Sequence, residues 1–497
     1  MERQNDPSPR PRRWWRHWLF KTFAISVLII FAFYTIERQN GEWAWRAYRK
    51  KAEAKGVKLW LSDYETPPIP DEENYAAAPI FRELLAANDV NAETESRLGF
   101  DAVRQGKPRS LETKPLDLTT WQQGFINAGW ISSAGSDPAA DVLKGMERIE
   151  GALSEVRRAS SRPKSRWPVK WSDGARATIS HYAILQTSCQ AFALRAKSLL
   201  ALNRPDEALS EIRHIIRADR SLADNPTMIA GLVRIALWNL LLEACEEGIA
   251  ADKWEDSQLR ALSKEAEAIN MLAAWKFALD SERGFSNQVF DQTVTADRAT
   301  FVKLITSVAL PGKKASSLST FGWLVTPRGW LRHNQVDYNE LLDGDLEDID
   351  ALSERVAERF SRAESIREER SKSEFTELYY TLATAVTGVR GEGCRRAFAS
   401  HSRIQHLRIL CAAARYRQVH GELPETLSEL VPEFLEQVPH DIMDGKPMRY
   451  RRTKEGGCVV WSIGRNRIDD GGVRRNSRPS ANTNYDWIVE LPAAPGR

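Results

Sequence analysis

The sequence predicts a mainly α-helical chain in which one N-terminal transmembrane helix precedes a body of helical hairpins. Two observations lead to this fold class. Residues 19–36 form a long apolar segment, and residues 175–279 carry apolar side chains at the three- and four-residue spacing of amphipathic helices. A chain of 497 residues exceeds the usual size of one domain, so we expect more than one folded unit behind the anchor.

The overall composition is typical of a globular protein. Hydrophobic residues make up 42% and charged residues 28% of the chain, and the net charge is +3. A nucleic-acid-binding protein usually shows a strong basic excess, so we expect no nucleic-acid partner. The five cysteines are far apart and contain no C-x-x-C pair, which predicts neither a zinc site nor a disulfide framework. Cys189, Cys245 and Cys411 lie in apolar helical stretches, where we expect them to be buried.

The apolar segment 19–36 is long enough to cross a membrane. As a helix it would span about 27 Å, close to the ~30 Å hydrocarbon core of a bilayer. Aromatic residues flank both ends, as at membrane interfaces: Trp14, Trp15, Trp18, Tyr34, Trp43 and Trp45. The alternative is a cleaved signal peptide, but no A-x-A cleavage pattern follows the segment. The pattern therefore favours an uncleaved signal-anchor.

The charges around the anchor predict its orientation. Basic residues crowd its N-terminal side, which favours a cytoplasmic N-terminus and a body outside the cytoplasm; they are Arg10, Arg12, Arg13, Arg16 and Lys21. We predict a single-pass protein of the bacterial inner membrane. Its segments are a cytoplasmic basic tail (1–18), a transmembrane helix (19–36), a juxtamembrane linker (37–74), a mainly helical body (75–395) and a C-terminal module (400–497).

Between the anchor and the central helices the pattern is less regular. Residues 43–61 are basic and amphipathic, and they either continue the anchor helix or lie along the lipid surface. Pro67, Pro68 and Pro70 break this structure, and a helix is expected from about Tyr75. Residues 90–140 are polar and predicted to be largely irregular.

The central region predicts a series of helices separated by short turns. A long helix over 175–202 ends at Asn203-Arg204-Pro205, and Asn225-Pro226 precedes a third helix. A fourth follows Asp252, a charged helix is expected over 346–369, and an apolar one over 375–386. The segment 193–219 resembles the middle of a tetratricopeptide repeat. No second copy follows at a period of about 34 residues, so we predict TPR-like hairpins rather than a solenoid.

The C-terminal residues carry a dense set of motifs. A helix is predicted over 404–418, and turn-forming Pro, Gly and Asp residues follow it. The residues that carry the pattern, from the end of this helix onward, are Tyr416, Gly421, Pro424, Leu427, Pro439, Asp441, Asp444, Gly445, Pro447, Tyr450, Ser462, Gly464, Asp469, Gly471 and Gly472. This order resembles the C-terminal part of the type II secretion major pseudopilins. The resemblance implies a small α+β module with a short antiparallel sheet.

The pseudopilin resemblance also implies a calcium ion in the final loop. Its ligands would be Asp469 and Asp470, with Asp441 or Ser462 close by, because calcium prefers hard oxygen ligands. The alternative is that Asp-Asp-Gly-Gly forms a hairpin turn. The chain lacks the pseudopilin leader and inserts a long helical body, so we do not expect assembly into a pseudopilus.

The whole chain resembles a group of uncharacterised membrane-anchored proteins from planctomycete-type bacteria. The resemblance lies in the anchor, the PPIPDEENYAAAPIF segment, the helical middle and the C-terminal module. That group has no assigned activity, so the resemblance implies an architecture and no function.

No catalytic motif is present in the sequence. It contains no H-E-x-x-H, G-x-S-x-G, G-x-x-x-x-G-K-[ST] or strand-following G-x-G-x-x-G pattern. Glu211 and His214 have the spacing of a di-iron ligand pair, but a second pair is missing. We therefore predict a non-catalytic envelope protein that binds a protein partner or acts as a scaffold, and we assign no catalytic residue. The alternative is an envelope enzyme with a site between body and module, where Asp441, Asp444, Asp469 and Asp470 would converge.

Overall fold

The computed structural model describes residues 14–87, 89–99, 115–297, 299–300, 326–350, 381–473 and 485–493. The chain is mainly α-helical with a small antiparallel sheet near its C-terminus, which confirms the predicted fold class. Most of the basic N-terminal tail and most of the two helices predicted over 346–369 and 375–386 lie outside the described residues. The α-helices are α1 (Trp14–Ala54), α2 (Pro79–Ala86), α3 (Val90–Leu98), α4 (Thr119–Asn127), α5 (Pro138–Met146), α6 (Glu150–Ala159), α7 (His181–Ala201), α8 (Pro205–Arg220), α9 (Met228–Ala250), α10 (Asp256–Glu267), α11 (Met271–Thr295), α12 (Arg328–Asp350) and α13 (Thr381–His420).

The chain divides into two compact units. Unit 1 comprises Met1–Val57, Val289–Glu340 and Glu369–Val386. Unit 2 comprises Lys58–Gln288, Leu341–Glu368 and Thr387–Arg497. The predicted body (75–395) is thus shared between both units. Helix α13 runs without a break through residues 395–400, where we placed the boundary of the C-terminal module.

Helix α1 of unit 1 extends well beyond the predicted span. It continues to Ala54, so residues 37–54 belong to the same helix as the predicted span rather than to a linker. Its apolar window has a mean hydropathy of 2.1 and none of it is buried, which makes it a candidate membrane span. In its C-terminal part the side chains of Trp45, Tyr48 and Ala52 are buried. The two parts of one helix therefore have different environments.

Two glycines allow α1 to approach the start of α12 closely within unit 1. A Cβ atom added at Gly41 would lie 2.4 Å from the carbonyl oxygen of Gly329. Beside this crossing, Trp330 Nε1 donates to Glu37 at 3.1 Å. Only residues without a Cβ permit such backbone contact, so the crossing requires glycine on both helices.

Helices α7, α8 and α9 form the central array of unit 2, and their turns follow the predicted pattern. Asn203 ends α7 in the left-handed region with φ of 57°, and the Arg204 N–H donates to the Leu199 carbonyl at 2.9 Å. Pro205 then occupies the first turn of α8. Thr227 caps α9, since its side chain accepts from the Ala230 N–H. The predicted helix breaks at Asn203–Pro205 and Asn225–Pro226 are confirmed.

Helix α9 is also apolar and long enough to cross a membrane. Its window has a mean hydropathy of 1.6, but 56% of that window is buried inside unit 2. Trp238, Leu242 and Cys245 on this helix are buried. Apolar residues on all sides are expected of a helix covered by several neighbours, so α9 is a core helix.

Some predicted helix boundaries differ from the structure. Helix α7 begins at His181 rather than near 175, because Trp171–Arg176 forms a 3-10 turn. The segment at Tyr75 starts as a 3-10 turn, with the Asn74 side chain accepting from the Ala76 N–H, and α2 follows from Pro79. Residues 90–140, predicted to be irregular, contain α3, α4 and the start of a third short helix, α5. These helices are too short to show a clear sequence period.

The C-terminal sheet has the strand order β1 (Arg449–Arg452), β2 (Cys458–Ser462) and β3 (Trp487–Leu491). Both pairings are antiparallel, with Tyr450 opposite Val460 and Val460 opposite Val489. Every residue of the central strand β2 is buried. The five cysteines are free and buried, including the three that we expected to fill the core.

Buried histidines make unit 2 sensitive to acid. Burial lowers the pKa of His181 to about 4 and the pKa of His406 to about 3. In the unfolded chain each imidazole binds a proton below about pH 6.5. Stability is therefore unaffected by these groups above that pH and falls as the pH drops towards the folded-state pKa values, since the unfolded state then binds more protons.

We expect His406→Gln to flatten the dependence of unfolding free energy on pH between pH 6.5 and 5. The slope should decrease by up to about 1.4 kcal/mol per pH unit, which corresponds to one proton. Denaturant unfolding at a series of pH values measures it. The control is the exposed His420, whose exchange for Gln should leave the slope unchanged. Equal slopes in wild type and H406Q would contradict the assignment.

Candidate functional site

A basic pocket lies in unit 2 where three segments of the chain meet. The segments are residues 66–69, residues 160–166 after α6, and residues 217–224 at the end of α8. The cavity has a volume of about 520 Å³, within the usual range of small-molecule sites. Its charged lining residues are Arg162, Lys164, Arg166, Arg217, Arg220 and Asp224. The lining is therefore strongly positive.

Backbone bonds hold the loop 160–166 in place. The Asn74 side chain both donates to the Arg166 carbonyl at 3.1 Å and accepts from the Arg166 N–H at 2.8 Å. The Tyr75 N–H donates to the Lys164 carbonyl at 2.8 Å, and the Lys164 N–H donates to the Glu73 carbonyl at 3.0 Å. These bonds form a short parallel bridge. The loop has a fixed backbone conformation as a result.

An aromatic cluster lies beneath this loop. Trp167 is buried, its ring stacks on His181 at 4.7 Å, and Phe81 meets it edge-on at 5.2 Å. The Trp167 Nε1–H donates to the Ser221 carbonyl at 3.2 Å, which joins the loop to the residue that follows α8. The loop 160–166 is therefore attached to the packed core through Trp167.

Three pocket arginines bond to the backbone and not to carboxylates. Arg162, Arg166 and Arg217 donate only to carbonyl oxygens, at 2.7 to 3.1 Å. Within the described residues none of these guanidinium groups forms an ion pair. Lys164 and Arg220 do pair with exposed or partly exposed glutamates, at 2.6 and 2.9 Å. The pocket thus keeps positive charge that no neighbouring acid neutralises.

The electrostatic state of Arg217 reflects this lack of a counter-ion. Burial, with a smaller contribution from Arg220, lowers the pKa of Arg217 below its usual value. Its guanidinium lies 4.6 Å from the centre of the Tyr75 ring, a cation–π contact. Arg234 is also buried, but there Asp219 raises the arginine pKa in spite of the burial. Arg217 stays charged near neutral pH, because arginine does not lose its proton in proteins.

Serine hydroxyl groups complete the lining. The Ser165 Oγ atom is buried and has no hydrogen-bond partner among the described residues. Ser160 Oγ donates to the Val156 carbonyl at 3.1 Å and contacts His214 Nδ1 at 3.0 Å. An unpartnered buried hydroxyl is uncommon in folded proteins.

Glu211 and His214, which have the spacing of a di-iron ligand pair, bond to other side chains. Glu211 accepts from Arg157 at 2.8 Å and from Arg195 at 2.9 Å, and His214 contacts Ser160. In the part of the chain that the structure describes, no group of three or more His, Cys, Asp or Glu side chains is arranged to hold a metal ion. Glu211 instead neutralises two arginines.

Asp441, one of the predicted calcium ligands, is buried and fully hydrogen-bonded. Its Oδ1 atom accepts from Ser462 Oγ at 2.7 Å and from the Met443 N–H at 2.9 Å. Its Oδ2 atom accepts from the Ile463 N–H at 2.9 Å and from Arg449 at 2.8 Å. The side chain joins the loop before β1 to the end of β2.

Arg449 lies at the centre of the acidic residues of the module. Its guanidinium pairs with Asp441, with Asp444 and with Asp469, the last at 3.3 Å. Asp470 bonds instead to Asn466 at 2.8 Å. Asp441, Ser462, Asp469 and Asp470 therefore do not form one set of calcium ligands in the described structure. Calcium binding in this loop stays a prediction.

The same ion pairs bear on the alternative enzyme hypothesis. Asp441, Asp444 and Asp469 do converge, but they converge on Arg449. A general acid donates a proton from its carboxyl group, whereas the oxygens of these three side chains accept hydrogen bonds from Arg449. The two glycines after Asp470 have φ values of 78° and 63°, as the alternative turn conformation requires.

The chain has no counterpart among known proteins in three comparisons: no family model, no curated protein and no solved structure matches it. The resemblances to pseudopilins and to the planctomycete-type group stay predictions.

Sequence reasoning did not identify the basic pocket. The segment SRPKSRW carries Arg162, Lys164 and Arg166 at every second position, which places all three on one side of an extended loop. Arg217 and Arg220 follow three residues apart on one face of α8. Each pattern is visible in the sequence, but their meeting depends on the bridge between Asn74 and the loop.

We expect Arg449→Gln to destabilise the sheet, because it leaves the fully buried Asp441 without a cationic partner. Breaking a fully buried ion pair costs at least about 3 kcal/mol of unfolding free energy. Because Arg449 is 16% exposed, we expect the unfolding free energy to fall by no more than about 3 kcal/mol. Hydrogen exchange of the β2 amides measures it and should accelerate by up to about a hundredfold.

The matched control is Arg452→Gln on the same strand. Its glutamate partners are 67% and 71% exposed, so exchange should change much less. Equal acceleration in both variants would contradict the central role of Arg449. Slower exchange of the wild-type sheet in millimolar calcium than in chelator would instead support the predicted calcium site.

Proposed function

We propose that this chain is a membrane-anchored protein of the bacterial envelope whose helical body binds a protein partner without catalysing a reaction. The observation that carries the proposal is the exposed apolar surface of α1. Phe20, Phe23, Ile29 and Phe31 are 71%, 68%, 63% and 69% exposed. Exposing apolar surface to water costs about 25 cal/mol per Å², so these residues need a lipid environment.

The contacts of α1 inside unit 1 support an anchor that stays attached. Residues beyond the apolar window take part in folded structure, since Trp330 bonds to Glu37 and Arg332 pairs with Glu42 at 2.9 Å. Cleavage after the apolar segment would leave these glutamates at a new chain end. An uncleaved signal-anchor is therefore the better interpretation of the helix.

The helical array of unit 2 supports a binding role. Paired helices with short turns present extended surfaces, as repeat proteins do. The 17 tryptophans add little to this argument, because several large ones, among them Trp238 and Trp275, are buried in the core. The proposed partner is another envelope protein, and the proposed body lies outside the cytoplasm.

Cysteine labelling tests the orientation with little background, because all five native cysteines are buried. Lys454 is exposed in the turn between β1 and β2, so Lys454→Cys provides one accessible thiol. We expect a membrane-impermeant maleimide to label K454C in spheroplasts. The matched control is Ser8→Cys in the predicted cytoplasmic tail, which should react only after lysis. The opposite result would place the body in the cytoplasm.

Crosslinking in native membranes, followed by purification, tests partner binding. We expect one envelope protein to co-purify with the full-length chain in a stoichiometric amount. The same protein should follow a variant in which an unrelated transmembrane sequence replaces residues 19–36, because the body carries the binding surface. Truncation at residue 400 is a poor test, since α13 runs through that point and Arg403 on it pairs with Glu246. Recovery of the chain alone after crosslinking would refute the proposed partner.

A further inference from the structure

We propose that the basic pocket of unit 2 is a binding site for the phosphate group of a small organic molecule. The pocket is formed by residues 66–69, 160–166 and 217–224, and no ion pair with a described acid neutralises Arg162, Arg166 or Arg217. This inference does not depend on the membrane anchor or on a protein partner.

The charge distribution points to an anion. Elsewhere in unit 2 partly buried arginines meet carboxylates: Arg157 and Arg195 share Glu211, and Arg234 pairs with Asp219. Burying a positive charge without a counter-ion is unfavourable. In the pocket three such charges lie together, with Asp224 as the acid of the lining. A bound anion would offset this cost.

The donor geometry favours phosphate. A guanidinium has five N–H donors, and the recorded bonds use only Nε of Arg166, and only Nε and Nη2 of Arg217. The remaining Nη groups are available within the described structure for the paired bonds that arginine makes to phosphate oxygens. A tetrahedral dianion accepts several such bonds and neutralises more than one charge.

The size of the cavity favours a phosphate ester over the free ion. A volume of about 520 Å³ exceeds what one phosphate group fills. Pro67, Ile69 and Pro163 add apolar surface to the lining, which suits the organic part of a ligand. The phosphate would bind at the arginines and the rest of the molecule against this apolar side.

The pocket is also pre-organised. The Asn74 side chain fixes the backbone of Arg166, and the backbone of Glu73 and Tyr75 fixes Lys164 on the other side of Ser165. Trp167 ties the same loop to Ser221. A site whose walls are already ordered loses little conformational entropy on binding. Pre-organisation separates this pocket from a chance accumulation of flexible basic side chains.

Isothermal titration of the full-length protein in non-ionic detergent tests the inference at constant ionic strength. The probes are inorganic phosphate, glycerol 3-phosphate and dioctanoyl phosphatidic acid, with succinate as a dicarboxylate comparison. Saturable 1:1 binding of a phosphate probe, tighter than that of succinate, is the expected result. The tightest phosphate probe then distinguishes a free ion, a soluble ester and a lipid headgroup as the source.

Variants locate the binding. Arg166→Gln should weaken it about ten- to a hundredfold, the usual effect of losing a charge-assisted hydrogen bond. Arg166→Lys should recover only part, because lysine keeps the charge but lacks the paired donors. The matched control is Arg213→Gln, an exposed arginine on α8 outside the pocket, which should change affinity less than about twofold. If R166Q fails to fold, K164Q/R220Q takes its place, since both side chains lie at the rim.

Three results would overturn the inference. They are no saturable binding of any phosphate probe, tighter binding of succinate than of phosphate, and equal loss of affinity in R166Q and R213Q. Each can be observed whether or not the chain binds a protein partner, so failure here leaves the proposed function unaffected.

Discussion

The apolar helices α7 and α9 impose the main constraint on unit 2, because both must be covered on more than one side. In α7 buried residues occur around the whole circumference, and over half of the apolar window of α9 is buried. Helix α8 covers them with one amphipathic face. Helix α13 adds basic residues that pair with acids of α9, of α10 and of the turn between them. Arg403 pairs with Glu246 on α9, and Arg415 pairs with Asp256 on α10. The C-terminal sheet follows directly from α13, so its position depends on this coverage.

Positive charge is handled in two different ways within this unit. Most partly buried arginines face carboxylates, and in the C-terminal module Arg449 alone neutralises several aspartates. Arg162, Arg166 and Arg217 of the basic pocket bond to carbonyl oxygens, which satisfy their donors in part but carry no net charge. The ion pairs of the module stabilise the fold. The arginines of the basic pocket gain their counter-ion only when the proposed anion binds. The contrast can be observed without reference to any known family.

The candidate membrane span and the folded part of unit 1 share one continuous helix. Helix α1 passes from an exposed apolar half to a half whose Trp45 and Tyr48 are buried. The glycine crossing at Gly41 and Gly329 fixes α12 to the second half. A helix transmits orientation better than a flexible linker, so the start of unit 1 has a defined direction relative to the proposed membrane surface.

The sequence by itself determined the features that depend on local chemistry. The apolar period, the Asn and Pro residues at 203–205 and 225–226, and the apolar surroundings of the cysteines predicted the helices, their turns and the buried thiols. Tertiary structure decided the rest, because it depends on contacts between distant segments. The short helices within 90–140 are stabilised by burial against α7 and not by their own period. The basic pocket exists because Asn74 and Trp167 bring residues 66, 164 and 217 together. Asp441 pairs with Arg449 because the strand pairing places that guanidinium beside it.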